Sequence, residues 1–168
     1  MTEIQSTVTW ERGGVQFIDG KYSRAHSWSF DGGAVVLASS SPHIVPLPFS
    51  IESAVDPEEA FVASLSSCHM LWFLSIAAKR GLRVNHYRDV AVGEMRKNER
   101  NKLVISIVRL RPQIDWDGDT PTDSVIVEMH HEAHEECFIA NSVRTTVLTE
   151  PIFNRTNQRL HPSGDQVH

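Results

Sequence analysis

Two residues in the chain can do nucleophilic or redox chemistry at neutral pH, Cys68 and Cys137. Cys68 lies in Ser66-Ser67-Cys68-His69, inside an apolar stretch, and Cys137 precedes Phe138-Ile139-Ala140-Asn141-Ser142. A thiol works through its thiolate, so a reactive cysteine needs a cation or an oriented dipole to stabilise that form. If the two cysteines meet in space, a sulfenic acid on one condenses with the other to a disulfide. They are 137 − 68 = 69 positions apart, and spacing alone does not bring them together. The plainer reading is a pair of small apolar core residues.

A second set of reactive types is His130, His131, Glu132, His134, Glu135 and Glu136. His131-Glu132-Ala133-His134 is one residue short of the His-Glu-x-x-His zinc pattern, although His130 and His134 share a helical face and Cys137 would complete a three-ligand set. That gives a metal-binding or regulatory module as the alternative to thiol chemistry. Glu58 precedes Cys68 by ten residues, close to three helical turns, and is placed to hold an arginine by a bidentate pair. Arg24 is the candidate for that role, with Arg12, Arg80 and Arg144 as competitors that physics alone does not separate.

The elements that must position these residues follow from pattern. Asp56-Pro57-Glu58-Glu59 is an N-cap, a proline at the first helical position and a capping-box glutamate. The helix it starts runs to Arg80 and stops at Gly81, with Lys79 and Arg80 against its C-terminal dipole. Apolar side chains occur nearly all round it, so it is a central helix covered on several sides. Ala60, Ser64 and Cys68, and Ala63 and Ser67, recur every four positions and allow close approach by another helix or sheet. Cys68 sits too far along to feel the N-terminal dipole, so its activation must come from a cation.

Before this helix, Thr7 to Trp10, Arg24 to Phe30 and Ala34 to Ala38 alternate as strands around the Asp31-Gly32-Gly33 turn, and the prolines at 42, 46 and 48 mark an irregular loop. After it come β-type segments at Tyr87 to Met95 and Leu103 to Leu110. A loop over Asp115 to Asp119 leads to a helix over Thr122 to Glu136, then a short helical turn and a strand over Thr145 to Leu148. The core spans about residues 8–150 and a polar tail follows. Strands, long helix, strands, helix and strand define one α+β domain with a mainly antiparallel sheet.

Composition bounds the function classes. The 168-residue chain carries a net charge of −5 and no Lys/Arg run, which argues against nucleic acid as partner. The uncharged stretch from Ala60 to Ala78 carries serines, a cysteine and a histidine, and reads as a buried helix rather than a membrane span. The first residues lack signal-peptide character, so a cytoplasmic, reducing location is expected, where paired cysteines are catalytic rather than structural.

Asp56-Pro57-Glu58-Glu59…Ser67-Cys68 resembles the Asn-Pro-Glu helix of the OsmC/Ohr family, the osmotically inducible and organic-hydroperoxide-resistance proteins. Cys137-Phe-Ile-Ala-Asn-Ser-Val resembles that family's second motif, Cys-Pro-Ile-Ser-Asn-Ser-Leu. The resemblance covers about residues 8–150. It implies an OsmC-like fold in an intertwined homodimer, with Cys68 as peroxidatic cysteine, Cys137 as resolving cysteine, and Glu58 and Arg24 as the activating pair. It further implies an organic hydroperoxide as substrate, an external dithiol as reductant, and neither cofactor nor metal. Phe138 departs from the family's proline, and His69 stands where phenylalanine is common in the organic-hydroperoxide branch.

Overall fold

A computed structural model describes residues 2–153. Three short strands come first: β1 (Ser6–Thr9), β2 (His26–Phe30) and β3 (Val35–Ala38), paired antiparallel in the order β1-β2-β3. This small sheet is joined to the rest through residues 39–55. The Ser39 N–H donates to the Val55 carbonyl at 3.0 Å, and the Ser39 hydroxyl accepts from the Ile51 N–H at 3.0 Å. The hydroxyl is fully buried with that partner, which lets the proline-containing loop fold back without an orphaned backbone donor.

Helix α1 (Pro57–Lys79) begins as its sequence predicts. The Asp56 carboxylate accepts from the Glu59 N–H at 2.8 Å, and the Glu59 carboxylate accepts from the Asp56 N–H at 3.2 Å. It ends at Gly81, whose φ of 74° is the left-handed conformation that glycine adopts without strain. Among the described residues it is the one helix long and apolar enough to cross a membrane, and here it packs against strands and a second helix.

The remaining strands are β4 (Arg83–Asp89), β5 (Val92–Lys97), β6 (Leu103–Leu110), β7 (Pro112–Asp117) and β8 (Thr146–Thr149), with α2 (Asp123–Glu136) between the last two. They form two further hydrogen-bonded sets, β4-β7 and β5-β6-β8, with β8 parallel to β6 and the other pairs antiparallel. Two expectations are corrected. The segment from Tyr87 to Met95 is two strands, because the chain leaves the β4-β7 ladder at Asp89 and enters β5 at Val92. The expected Asp115 to Asp119 loop is largely strand β7, with Ile114 and Trp116 turned to the core and paired through β4. The chain after Pro151 is also ordered as far as Phe153, which packs on the core; the rest of the expected tail lies outside the described residues.

The core has two parts, and α1 contributes to both. Phe73, Ile76 and Ala77 meet Ile114 of β7 and Ile126, Met129 and Ala133 of α2. Nearer the start of α1, Leu65 packs on Val108 and Leu110 of β6. Burying a side chain the size of Phe73 or Leu65 stabilises the fold by about 1.5–3 kcal/mol. The cover is one-sided: Ala63, Ser67, Leu71 and Ser75, four apart along α1, stay exposed.

Candidate active site at the junction of two helices

Contacts between α1 and α2 run in opposite order along the two helices. Arg80 bridges Glu128 and Glu132 at 2.9 and 2.8 Å, Phe73 stacks on His130 with ring centroids 4.2 Å apart, and Cys68 meets Cys137. The crossing thus brings a residue about three turns into α1 near the residue that caps α2. Cys68 and Cys137 are free thiols, close enough in space for Cys68 to act on the Cys137 thiol. Cys68 is half-buried, whereas Cys137 is 1% exposed.

The motif around Cys137 explains its placement. Its N–H donates to the His134 carbonyl, and its extended backbone turns the chain out of the helix. The Asn141 amide then donates to the carbonyls of Glu135 (2.7 Å) and Cys137 (3.1 Å), and the Ser142 hydroxyl donates to Phe138 (2.7 Å). These side chains satisfy carbonyls that the end of α2 leaves without helical partners. The Cys137 sulfur accepts from the Ala140 N–H at 3.4 Å. Burial pushes the Cys137 thiol up to about 11; the hydrogen bond and charge of Cys68 add to this, and the Ala140 and Ile139 N–H groups oppose it. The site therefore holds one accessible thiol over one buried, protonated thiol. Oxidation to a disulfide would join these two neighbouring sulfurs.

Leu71 and Trp72, three and four residues after Cys68, flank it on the helix surface. Trp72 meets Phe138 edge to face at 5.5 Å, and Leu71 and Phe138 are 63% and 69% exposed. An apolar lip thus borders the thiol pair. Met70 instead lines the opposite face of α1, and Phe61 packs against the Leu65 cluster.

The other expected site residues are placed elsewhere in the single chain. Glu58 lines a groove of about 950 Å³ between α1, the loop at Ser41–Ile44 and β5, with Ser66, Ser67 and Asp89 along its wall. The Arg24 guanidinium donates to the carbonyls of Gly20 (2.8 Å) and Tyr22 and lies 3.8 Å from the Tyr22 ring centroid. No ion pair links Arg24 to Glu58 among the described residues. The same N-terminal segment gathers Trp10, Phe17 and Tyr22 into one aromatic cluster.

The histidines arrange differently from the sequence reading. His130 pairs with His69, Nδ1 to Nε2 at 3.0 Å, and both rings are essentially buried. Their planes lie 11° apart with centroids 5.2 Å apart, so the nitrogen contact spans most of the separation and the rings meet edge to edge. Burial pushes His69 down to about 4 with help from His134, and His130 down to about 3 with help from His69. Both are neutral imidazoles. Among the described residues no group of three or more His, Cys, Asp or Glu side chains is arranged to hold a metal ion. Sequence reasoning noticed His69 only as a departure from a motif; the signal was a polar ring on an otherwise apolar helix face.

Fold and site together define an α+β domain that brings two thiols into contact where a long central helix crosses a shorter one. The model of the OsmC-like protein family matches residues 51–151, a span that includes both cysteines and Glu58. The chain belongs to this family. An OsmC-like protein of unknown function from Vibrio cholerae O1 shares 56% identity and superposes with a TM-score of 0.88 over 90% of this chain and 100% of the other. The fold is also that of an organic hydroperoxide resistance protein from Elizabethkingia anophelis (16% identity, TM-score 0.65, 90% and 94% covered). The organic hydroperoxide resistance protein OhrB of Bacillus subtilis is similar too (17% identity, TM-score 0.65, 90% and 98% covered). No curated protein matches the chain in sequence.

Proposed function

We propose that the protein is a thiol peroxidase that reduces organic hydroperoxides, with Cys68 as the peroxidatic and Cys137 as the resolving cysteine. The observation that carries this reading is the contact between a half-buried and a buried free thiol in a family with organic hydroperoxide resistance proteins among its structural neighbours. The Cys68 thiolate attacks one peroxide oxygen, the O–O bond breaks, and the other oxygen leaves and takes a proton as the alcohol. Cys68 is left as a sulfenic acid. The Cys137 sulfur then displaces its hydroxyl, which takes up the Cys137 proton and leaves as water. An external dithiol in a reducing cytoplasm returns both thiols by exchange. The apolar lip of Leu71, Trp72 and Phe138 favours an organic over a small polar peroxide.

The activating cation in this reading is Arg24, oriented by Glu58 and delivered by a second copy of the chain. A homodimer is supported by surface left uncovered in one chain. The stripe Ala63-Ser67-Leu71 on α1 is exposed, and Val8, Val35 and Leu37 of the N-terminal sheet are 63%, 68% and 54% exposed. A guanidinium fork suits both the thiolate and the departing oxygen. The test is peroxide consumption with cumene hydroperoxide and dithiothreitol. Cys68→Ser abolishes it, and Arg24→Ala slows it with the fold intact; wild-type rates in Cys68→Ser refute the reading.

A further inference from the structure

A feature that the peroxidase chemistry does not use lies one residue beyond the thiol pair. His69 and His130 are 1% and 2% exposed, yet among the described residues each ring keeps a nitrogen with no partner, Nδ1 of His69 and Nε2 of His130. Their shared contact is an N–H···N bond, so one ring donates and the other accepts. Whichever ring donates, one orphan nitrogen carries a proton and the other a lone pair. The bond joins α1 to α2 beside Cys68: His69 follows Cys68, and His130 stands two helical turns before Cys137. Phe73 stacks on a face of the His130 ring, so the pair has an apolar cover.

The groups that bear on these rings can be named. Cys68 is next along α1; His134 and Cys137 follow along α2, and the buried Nδ1 of His134 is likewise without a partner among the described residues. Tyr87 of β4 reaches the site through Phe73. Among the described residues, the charged groups that shift these rings are other imidazoles, His134 on His69 and His69 on His130. Among the described residues no carboxylate pairs with either ring, so protonation places an uncompensated charge in the helix junction.

We infer that the His69–His130 bond is a proton-sensitive clasp between α1 and α2 that keeps Cys137 seated against Cys68, so that disulfide closure is fast only while both imidazoles are neutral. This rests on the thiol pair being redox-active, as proposed above. His69 and His130 are positioning residues in this scheme and touch no substrate. In acid the clasp loosens, Cys137 withdraws, and an oxidised Cys68 stays exposed to further oxidation.

The test separates hydrogen bonding from titration. Gln at 69 mimics the Nε2 that His69 uses, and Asn at 130 mimics the Nδ1 that His130 uses; the pair keeps a bond across the junction and cannot be protonated. Reduced wild type, the His69→Gln/His130→Asn double variant and His69→Leu are oxidised with diamide, which takes two electrons and two protons from the thiols without peroxide. Disulfide closure is read by mass shift at pH 7.5 and 4.0. All three slow in acid because thiolate is lost. The expected result is that the double variant closes at near the wild-type rate at pH 7.5, and that its rate relative to wild type rises about twofold at pH 4.0, where about half of the His69 rings are protonated. His69→Leu closes more slowly than wild type at pH 7.5. A relative rate that does not change with pH overturns the clasp, as does a double variant slow at both pH values. Should His69→Leu not fold, the double variant alone decides. Because diamide replaces peroxide, a protein inert to cumene hydroperoxide would sink the peroxidase reading and leave this outcome readable.

Discussion

In the reduced protein Cys137 is expected to resist alkylation far more than an ordinary thiol. Burial, together with the hydrogen bond and charge of Cys68, raises it from 9.0 to about 11. Two units correspond to about a hundredfold less thiolate near neutral pH, and the thiolate is the species that iodoacetamide attacks. Burial of the sulfur at 1% exposure slows access further, so a hundredfold is the minimum. The assay is a timed iodoacetamide reaction at pH 7.5, 8.5 and 9.5, with Cys68- and Cys137-containing peptides quantified by mass and denatured protein as the reference. The Cys137 rate should keep climbing about tenfold per pH unit over this whole range, while the denatured reference flattens as it nears its own pKa. Cys68→Ala removes one raising contribution and leaves the larger one, burial, in place. The Cys137 rate should therefore rise in that variant and stay below the reference. If Cys137 in the folded, reduced protein is modified within about threefold of the denatured rate at pH 7.5, the reasoning from burial and thiol contact is wrong.

Two further outcomes follow from packing and charge. His69 and His130 lie below their unfolded value, so the unfolded chain takes up protons first: stability is full above about pH 6.5 and falls as pH drops toward the folded values of about 4 and 3. At pH 5.0 the loss is about 2 kcal/mol for each imidazole, and urea unfolding of wild type against His69→Gln/His130→Asn measures it; equal acid losses in both proteins would contradict the assignment. Gly93→Ala places a Cβ 2.8 Å from Val62 Cγ2 and 3.4 Å from Ile105 Cγ2, where β5 passes α1. A destabilisation of about 1–3 kcal/mol is expected, relieved in part by Val62→Ala, and a double-mutant cycle with no coupling would show that the contact is not the cause.

What the sequence made legible was local. The Asp56 to Glu59 signals placed the start of α1, Gly81 placed its end, and the Cys137 to Ser142 motif marked the turn that holds the second thiol. What it hid depended on partners far along the chain. Strand β7 reads as a loop because Asp115, Asp117 and Gly118 carry turn chemistry, and only pairing with β4 makes it a strand. The break between β4 and β5 falls inside one β-type run, since it comes from a change of partner strand. His69 and His130 are 61 positions apart, and no local pattern tells that two polar rings meet under an apolar cover. The sequence reading paired His130 with His134 and Cys137 instead. Arg24 and Glu58 illustrate a different limit: each is set by its own loop or helix end, and the proposed meeting of the two requires a second chain.

The central claim is that Cys68 and Cys137 act as one redox unit toward an organic hydroperoxide. Its most direct test adds one equivalent of cumene hydroperoxide to reduced protein and follows free thiols, cumyl alcohol and the Cys68–Cys137 cross-linked peptide together. The account predicts two thiols lost and one alcohol formed per chain, with the cross-linked peptide appearing at the same rate as the alcohol in the wild type. In Cys137→Ser the alcohol still forms and Cys68 stops at a sulfenic acid that a dimedone probe captures. Alcohol formation that survives Cys68→Ser, or loss of peroxide with no cross-linked peptide in the wild type, would contradict it.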